Sequence, residues 1–328
     1  MTLVAPRLAT RDEVPVLDLA LLDQPGGADI LAGQLRKACI NLGFFYVANH
    51  GVAESLSEGI FDVTKRYFGL PLEERMKDLL DPDFARGYMP YGYERAPGQQ
   101  PDFKESFELA LDLPLNDPDV QMGRLLHGPN RWPEAHPWFR AVAEPYLAAT
   151  TSLGRRLLGI FALSLDLDRD HFEPFCNKPM MHMRLFHYWP QPQHASETQL
   201  GTGAHADFGM LTILNQDPIG GLELCKRDGE WIGAPHIPGT FVVNIGDLFR
   251  TWTNDVYVST VHRVVNRAGK ERYSVPTFFC LDYDTPVACL PTCVAAGDAP
   301  KYPTITAGEY VEGRLRDGYS RHEEVVAA

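Results

Sequence analysis

The chain has 328 residues, 45% of them hydrophobic, so it can bury a sizeable core, and we expect a single domain over 1–328. Its formal net charge of -13 argues against nucleic acid or an anionic membrane as a partner. Six scattered cysteines, no secretory pattern at the N-terminus and no apolar stretch of 18 residues predict a cytoplasmic protein.

Helices dominate the predicted first part of the chain. Apolar residues recur at helical spacing over 30–42 and 56–68, with a strand-like run between them. A short third helix is expected after Pro71, and a long amphipathic helix after Pro133. We therefore interpret residues 1–175 as a helical N-terminal part.

Two neighbouring segments interrupt this helical part. Residues 81–100 are rich in proline, glycine and aromatic residues, which is typical of an ordered, lid-like loop. Residues 101–113 fit either a helix or a strand, and the alternation of Phe107, Leu109 and Leu111 favours a strand in the second half.

His205 and Asp207 form a His-x-Asp triplet at the end of a Gly/Thr/Ala stretch. Alternate residues of a strand point to one face, so both side chains can face the same ion. The triplet is weak by itself, because a chain with 11 histidines contains such triplets by chance. The alternative is that the histidines are half-buried strand residues with hydrogen-bond partners.

His262 lies in a second β-rich run, 257–265, and Arg272 opens a third, 272–279, in which Ser274 shares its face. A turn at 266–269 predicts that these two runs form a hairpin. The hairpin would carry His262 and Arg272 into one site.

These residue types indicate a non-haem iron site with an anion-binding arginine beside it. Two imidazoles and one carboxylate are the ligands of a facial triad, which leaves the other positions of the metal open. A guanidinium nearby can hold a carboxylate through two parallel hydrogen bonds.

The chain resembles the iron- and 2-oxoglutarate-dependent dioxygenases of the isopenicillin N synthase-like group over nearly its whole length. The resemblance is carried by VPVLDLA, LGFFYVANHGV, MRLFHYWPQP, GGLEL and TNDVYVSTVHRVVN. It implies an α+β protein with a mainly β core, a double-stranded β-helix (jelly-roll) barrel with N-terminal helices packed on it. Residues 176–295 would form the jelly-roll core, and 296–328 a C-terminal helical tail.

The resemblance also implies roles for six residues. The three that match iron ligands are His205, Asp207 and His262. The three that match the residues around the distal carboxylate of 2-oxoglutarate are Arg272, Ser274 and Tyr188.

Further residues are candidates for binding the prime substrate: His182, Arg184, Tyr91, Tyr93, Phe103 and Phe278. His182 and Arg184 share a strand face with Tyr188, and a basic pair would suit a carboxylate on the substrate. The alternative is that Arg184 pairs with a structural acid.

The expected function is an Fe(II) oxygenase that couples oxidative decarboxylation of 2-oxoglutarate to hydroxylation, desaturation or cyclisation of a small molecule, such as a free amino acid. Dioxygen is the co-substrate, and ascorbate is the expected reductant in vitro. Asp207 fills the position that chloride would take in a halogenase of this kind. Two alternatives stay open, namely an iron oxidase that does not use 2-oxoglutarate and a non-catalytic jelly-roll binding protein.

Overall fold

The structure is a computed structural model, and it describes residues 4–93, 100–191 and 199–315. The strands are β1 (Val16–Asp18), β2 (Phe44–Ala48), β3 (Gly87–Met89), β4 (Lys104–Ala110), β5 (Met181–Tyr188), β6 (Thr202–His205), β7 (Leu211–Gln216), β8 (Leu222–Cys225), β9 (Trp231–Gly233), β10 (Thr240–Ile245), β11 (His262–Val264), β12 (Arg272–Phe279), β13 (Pro286–Val287) and β14 (Ile305–Thr306). The helices are α1 (Gly27–Asn41), α2 (Glu54–Phe68), α3 (Leu72–Arg75), α4 (Pro118–Gln121), α5 (Pro137–Ser164) and α6 (Asp247–Trp252).

Two facing sheets form the core. The larger has the strand order β1-β2-β10-β7-β12-β5-β4-β3, and the smaller has the order β6-β11-β8-β9. Phe44 and Val242 of the larger sheet pack against Leu222 and Leu224 of the smaller one, so these side chains mark the inner face. The predicted mainly β core with N-terminal helices packed on it is confirmed.

The predicted helices pack on the outer face of the larger sheet. The four helical segments expected from apolar spacing correspond to α1, α2, α3 and α5. Ile213 and Phe107 point outward and share one buried cluster with Leu153 and Leu157 of α5. Because successive strand residues alternate between faces, the neighbouring polar residues Glu108 and Thr212 point to the inner face.

The predicted hairpin is wrong. His262 lies on β11, which pairs with β6 and β8, whereas Arg272 lies on β12, which pairs with β5 and β7. Residues 266–269 therefore pass from the smaller sheet to the larger one, and the strand part of 257–265 is limited to β11. The two residues still reach one site, because the two sheets face each other.

Three other segments refine the sequence predictions. The loop prediction for 81–100 is wrong at β3, which pairs with β4 as the edge strand of the larger sheet, and residues 94–99 lie outside the described residues. The strand alternative for 101–113 is the one observed, as β4. In the predicted C-terminal tail, β14 precedes a helical stretch at 307–315, and 316–328 lie outside the described part. Among the described residues we find no helix with the length and apolar character that a membrane crossing requires.

Candidate active site

His205, Asp207 and His262 converge on one point of the inner face. His205 ends β6, and it lies directly opposite His262 in the antiparallel register of β6 and β11. The Nε2 atoms of the two histidines lie 3.6 and 3.7 Å from Oδ1 of Asp207. One ligand atom from each residue lies within 4.8 Å of the others, so a single ion can bridge all three.

The same local contact orients both imidazoles. Nδ1 of His205 lies 2.8 Å from the carbonyl oxygen of Gly203, and Nδ1 of His262 lies 3.1 Å from that of Thr260. In each case the carbonyl belongs to the residue two positions earlier. Since a carbonyl only accepts, Nδ1 of each ring carries a proton, and Nε2 is the nitrogen that faces the point of convergence.

Hydrogen bonds to one carboxylate oxygen of Asp207 leave the other oxygen to bind a metal. Its Oδ2 accepts hydrogen bonds from Oγ1 of Thr212 at 2.6 Å and Nδ2 of Asn244 at 2.7 Å. Its backbone carbonyl accepts the N–H of Asp247 at the start of α6. Oδ1 is thereby left to face the two histidines.

The charges of the cluster attract a cation. Burial opposes ionisation of Asp207, but the His262 and His205 rings hold the pKa of its carboxyl well below the ordinary value. Burial and the adjacent His205 ring lower the pKa of His262 to about 4, so this imidazole is neutral. Burial also disfavours charge on His205, but its contact with Asp207 outweighs that effect and raises its pKa. An anionic oxygen beside imidazole nitrogens is a donor set that suits a divalent metal.

Arg272 is a buried guanidinium with unused hydrogen-bonding capacity. Its side chain is 0% exposed; Nε donates to the carbonyl of Gly220, and Nη1 donates to Oγ of Ser274 at 3.1 Å. Nη2 has no hydrogen-bond partner among the described residues. A buried donor without a partner is costly, and the planar fork of an arginine matches a carboxylate, so this position fits the carboxylate of a bound acid.

Tyr188 lies against this guanidinium. It pairs with Arg272 in the register of β5 and β12, and the guanidinium carbon lies 4.6 Å from the centre of its ring. Its hydroxyl is 3.4 Å from Oγ1 of Thr202. The ring therefore covers one face of the guanidinium and shields it from water.

The two basic residues of β5 share an acid. Glu108 lies opposite Arg184 in the register of β4 and β5, and its Oε1 accepts from Nε of Arg184 at 2.6 Å. Nε2 of His182 lies 2.5 Å from Oε2 of Glu108. The alternative in which Arg184 pairs with an acid is thus the one observed. Burial lowers the pKa of His182, so this cluster is close to neutral as a whole.

The remaining candidates for substrate contact occupy different places. The rings of Tyr91 and Phe103 contact Trp189 and each other, with centroids 5.5 to 5.9 Å apart. Phe103 precedes Lys104, so strand alternation places it towards the outer face, away from the metal cluster. Phe278 lies on the inner face beside His182, and Tyr93 lines a small cavity with Met89 and Lys104.

Sequence reasoning missed four polar residues around the site: Asp102, Glu108, Thr212 and Asn244. A signal for Glu108 was present. The alternation that places Phe107 and Leu109 outward places Lys104 and Glu108 inward, but the sequence does not say what they meet there.

Comparisons with known proteins agree with this geometry. The sequence model described as the non-haem dioxygenase in morphine synthesis N-terminal matches residues 14–135, and that of the 2OG-Fe(II) oxygenase superfamily matches residues 179–281. The chain is 37% identical to the 2-oxoglutarate-Fe(II) type oxidoreductase hxnY of Emericella nidulans, over 94% of this chain and 91% of that protein. It is 35% identical to homoarginine-6-hydroxylase 2-ODD-C23 of Glycine max, over 95% and 94%.

A solved structure is similar over nearly the whole chain. It is a full-length protein of Neurospora crassa in complex with alpha-KG, with a TM-score of 0.82 and 27% identity, covering 94% of this chain and 98% of that one. Because the matched family uses both iron and 2-oxoglutarate, the comparisons favour neither a non-catalytic barrel nor an iron oxidase without 2-oxoglutarate. The chain belongs to the 2-oxoglutarate- and Fe(II)-dependent oxygenase superfamily, and it is a dioxygenase of the isopenicillin N synthase-like group.

Proposed function

We propose that His205, Asp207 and His262 hold the Fe(II), and that Arg272 and Ser274 bind the distal carboxylate of 2-oxoglutarate. Two imidazole nitrogens and one carboxylate oxygen within 4.8 Å of one another support the first assignment. The unpartnered Nη2 of the buried Arg272 supports the second. When bound, iron and 2-oxoglutarate supply the oxidising chemistry, which converts 2-oxoglutarate and dioxygen to succinate and carbon dioxide while a substrate is oxidised.

The side chains themselves orient the reactants rather than transfer protons. Thr212 and Asn244 hold Asp207 so that only Oδ1 faces the ion. Tyr188 covers the guanidinium of Arg272, and we assign its hydroxyl as a further donor to the same carboxylate. The protein thus contributes fixed ligands, a dry anion site and an open face of the metal.

The reaction outcome follows from the carboxylate ligand. With Asp207 as one of the residues that would hold the iron, its carboxylate would take the position that a halide would need. We therefore propose hydroxylation, or the related desaturation or ring closure, rather than halogenation.

The prime substrate we propose is a small molecule with a charged group, such as a free amino acid. The observation that carries this proposal is the pair of buried ion pairs on the inner face, Arg184 with Glu108 and Lys104 with Asp102. Lys104 and Arg184 lie over the same Phe186 ring, at 4.9 and 4.7 Å from its centre. A wholly apolar ligand would take these ion pairs further from water without adding a hydrogen bond, whereas a charged group on the substrate can join either pair. The homoarginine hydroxylase relative acts on such an amino acid, which supports the same class.

The strand register supports this proposal for the pair of Arg184 and Glu108. Thr212, which holds Asp207, pairs with Phe278 on the next strand, and Phe278 pairs with His182 on the strand after that. Two strand spacings, roughly 10 Å, separate Thr212 from His182, and Nε2 of His182 lies 2.5 Å from Oε2 of Glu108. A substrate anchored at Glu108 and Arg184 can therefore present a carbon several bonds away to the iron.

The experiment is succinate formation by the purified chain with Fe(II), ascorbate and 2-oxoglutarate under air, against pools of amino acids, organic acids and neutral apolar metabolites. We expect stimulation by a pool of charged compounds. Stimulation by the apolar pool alone would contradict the substrate class and leave the iron chemistry intact. The cytoplasmic location stays a prediction.

A further inference from the structure

Both metal-site histidines depend on a carbonyl two residues earlier, and each of those residues is tied to a neighbouring element. Thr260, whose carbonyl accepts from Nδ1 of His262, donates through Oγ1 to the carbonyl of Leu42 at 2.5 Å. Gly203, whose carbonyl accepts from Nδ1 of His205, donates through its N–H to Oδ1 of Asp102 at 2.9 Å. The hydrogen bond to Gly203 thus involves Asp102, a side chain to which we assign no contact with the iron or with 2-oxoglutarate.

Gly203 needs this tie because its strand lies at an edge. β6 is the first strand of the smaller sheet, and within the described part of the chain it pairs with β11 alone, through His205 opposite His262 and Thr202 opposite Val264. The N–H of Gly203 takes no part in that register and points to the start of β4. The bond from Gly203 to Asp102 therefore restrains a strand that is paired along one side, and the Phe103 N–H, which donates to the carbonyl of Leu200 at 2.8 Å, holds the residues just before it.

Lys104 fixes the carboxylate that makes the bond. Its Nζ lies 2.6 Å from Oδ2 of Asp102 and 3.2 Å from Oγ1 of Thr202, the neighbour of Gly203. The side chains of Asp102 and Lys104 are 10% and 6% exposed. A buried carboxylate requires such a cation, and with Oδ2 on Lys104 the other oxygen is directed at Gly203.

His205 is the ligand that most needs orientation. Its side chain is 37% exposed, whereas those of His262 and Asp207 are 10% and 5% exposed. Packing therefore restrains His262 and Asp207 more than it restrains His205. The Gly203 carbonyl, at 2.8 Å from Nδ1, is the contact that sets the ring orientation and the tautomer.

We infer that Asp102 and Lys104 are positioning residues for His205, and that through Gly203 they set the affinity of the site for a divalent cation. The inference rests on the proposed function, because it assumes that His205 binds the metal. Neither residue touches the ion in this account.

The test is the affinity of the full-length apoprotein for Co(II), measured by calorimetric titration without substrate. The double variant Asp102→Leu/Lys104→Leu removes the pair without leaving an unpaired charge. We expect its dissociation constant to rise about 10- to 100-fold, the range for partners of metal ligands. Asp102→Asn keeps an oxygen for the Gly203 N–H, and we expect it to stay within about threefold of the wild type.

A double-mutant cycle separates positioning from a general effect on the fold. In a His205→Ala background the Leu/Leu change is expected to have no further effect on Co(II) affinity, since there is no ring left to orient. Equal effects in both backgrounds, or an Asp102→Asn variant as weak as the double variant, would overturn the inference. Where the double variant does not fold, the comparison of Asp102→Asn with Asp102→Ala makes the same test. If His205→Ala alone binds Co(II) as tightly as the wild type, the proposed metal site fails instead.

Discussion

Replacement of Arg272 by leucine tests the 2-oxoglutarate site. The guanidinium is fully buried; among the described residues its Nη2 has no partner and its Nη1 donates only to Ser274, so both can donate to one carboxylate. Two charge-assisted hydrogen bonds in a buried site contribute about 3 kcal/mol or more. Their loss corresponds to roughly a 150-fold increase in the dissociation constant of 2-oxoglutarate.

The assay is ligand-induced thermal stabilisation of the metal-loaded protein without oxygen. At a 2-oxoglutarate concentration about 100 times the wild-type dissociation constant, the wild type gains about 2.7 kcal/mol. The same concentration stabilises an Arg272→Leu variant with roughly 150-fold weaker binding by only about 0.3 kcal/mol. An Arg272→Leu variant that binds 2-oxoglutarate within about threefold of the wild type would refute the reasoning.

Arg263→Leu is the matched control. Nε of Arg263 lies 2.8 Å from Oε2 of Glu223, and its guanidinium stacks on Trp231, on the smaller sheet. Glu223 also pairs with Arg267, so it keeps a cation in this variant. We expect Arg263→Leu to lower the melting temperature but to leave the affinity for 2-oxoglutarate unchanged.

Two further substitutions test the supports of the site. Thr212→Val removes one of the two hydrogen bonds on Oδ2 of Asp207, and we expect the Co(II) dissociation constant to rise about tenfold in calorimetric titration; an unchanged value would show that Asn244 alone orients the carboxylate. Glu108→Gln removes the charge shared by Arg184 and His182, and we expect the KM for the prime substrate to change at least about tenfold while the KM for the cosubstrate stays constant. An equal change in both constants would place Glu108 in the support of the fold rather than in substrate recognition.

Local periodicity was sufficient for the parts of the site that lie within one short segment of the chain. The two-residue spacing brings His205 and Asp207 together at the end of β6, and it brings Arg272 and Ser274 to one face of β12. Such pairs depend only on the alternation of side chains, which the sequence shows directly.

Strand pairing could not be read from neighbouring residues. β11 and β12 follow each other in the chain, and the turn at 266–269 suggested a hairpin, yet each strand pairs with partners from distant parts of the sequence. For the same reason, the sequence did not identify Glu108 and Asp102 as residues of the site. Their partners, Arg184 and Gly203, lie far along the chain, and only the register of β4 with β5 and the approach of β6 bring them together.

The most direct measurement of the proposed iron site is oxygen consumption with succinate formation, by wild type and Asp207→Ala, with Fe(II) and an active substrate pool. We expect the wild type to form one succinate for each dioxygen consumed and to consume none without 2-oxoglutarate. Asp207→Ala, which lacks the carboxylate ligand, is expected to be inactive under both conditions. Oxygen consumption without 2-oxoglutarate, or undiminished turnover by Asp207→Ala, would contradict the proposed function and its metal site.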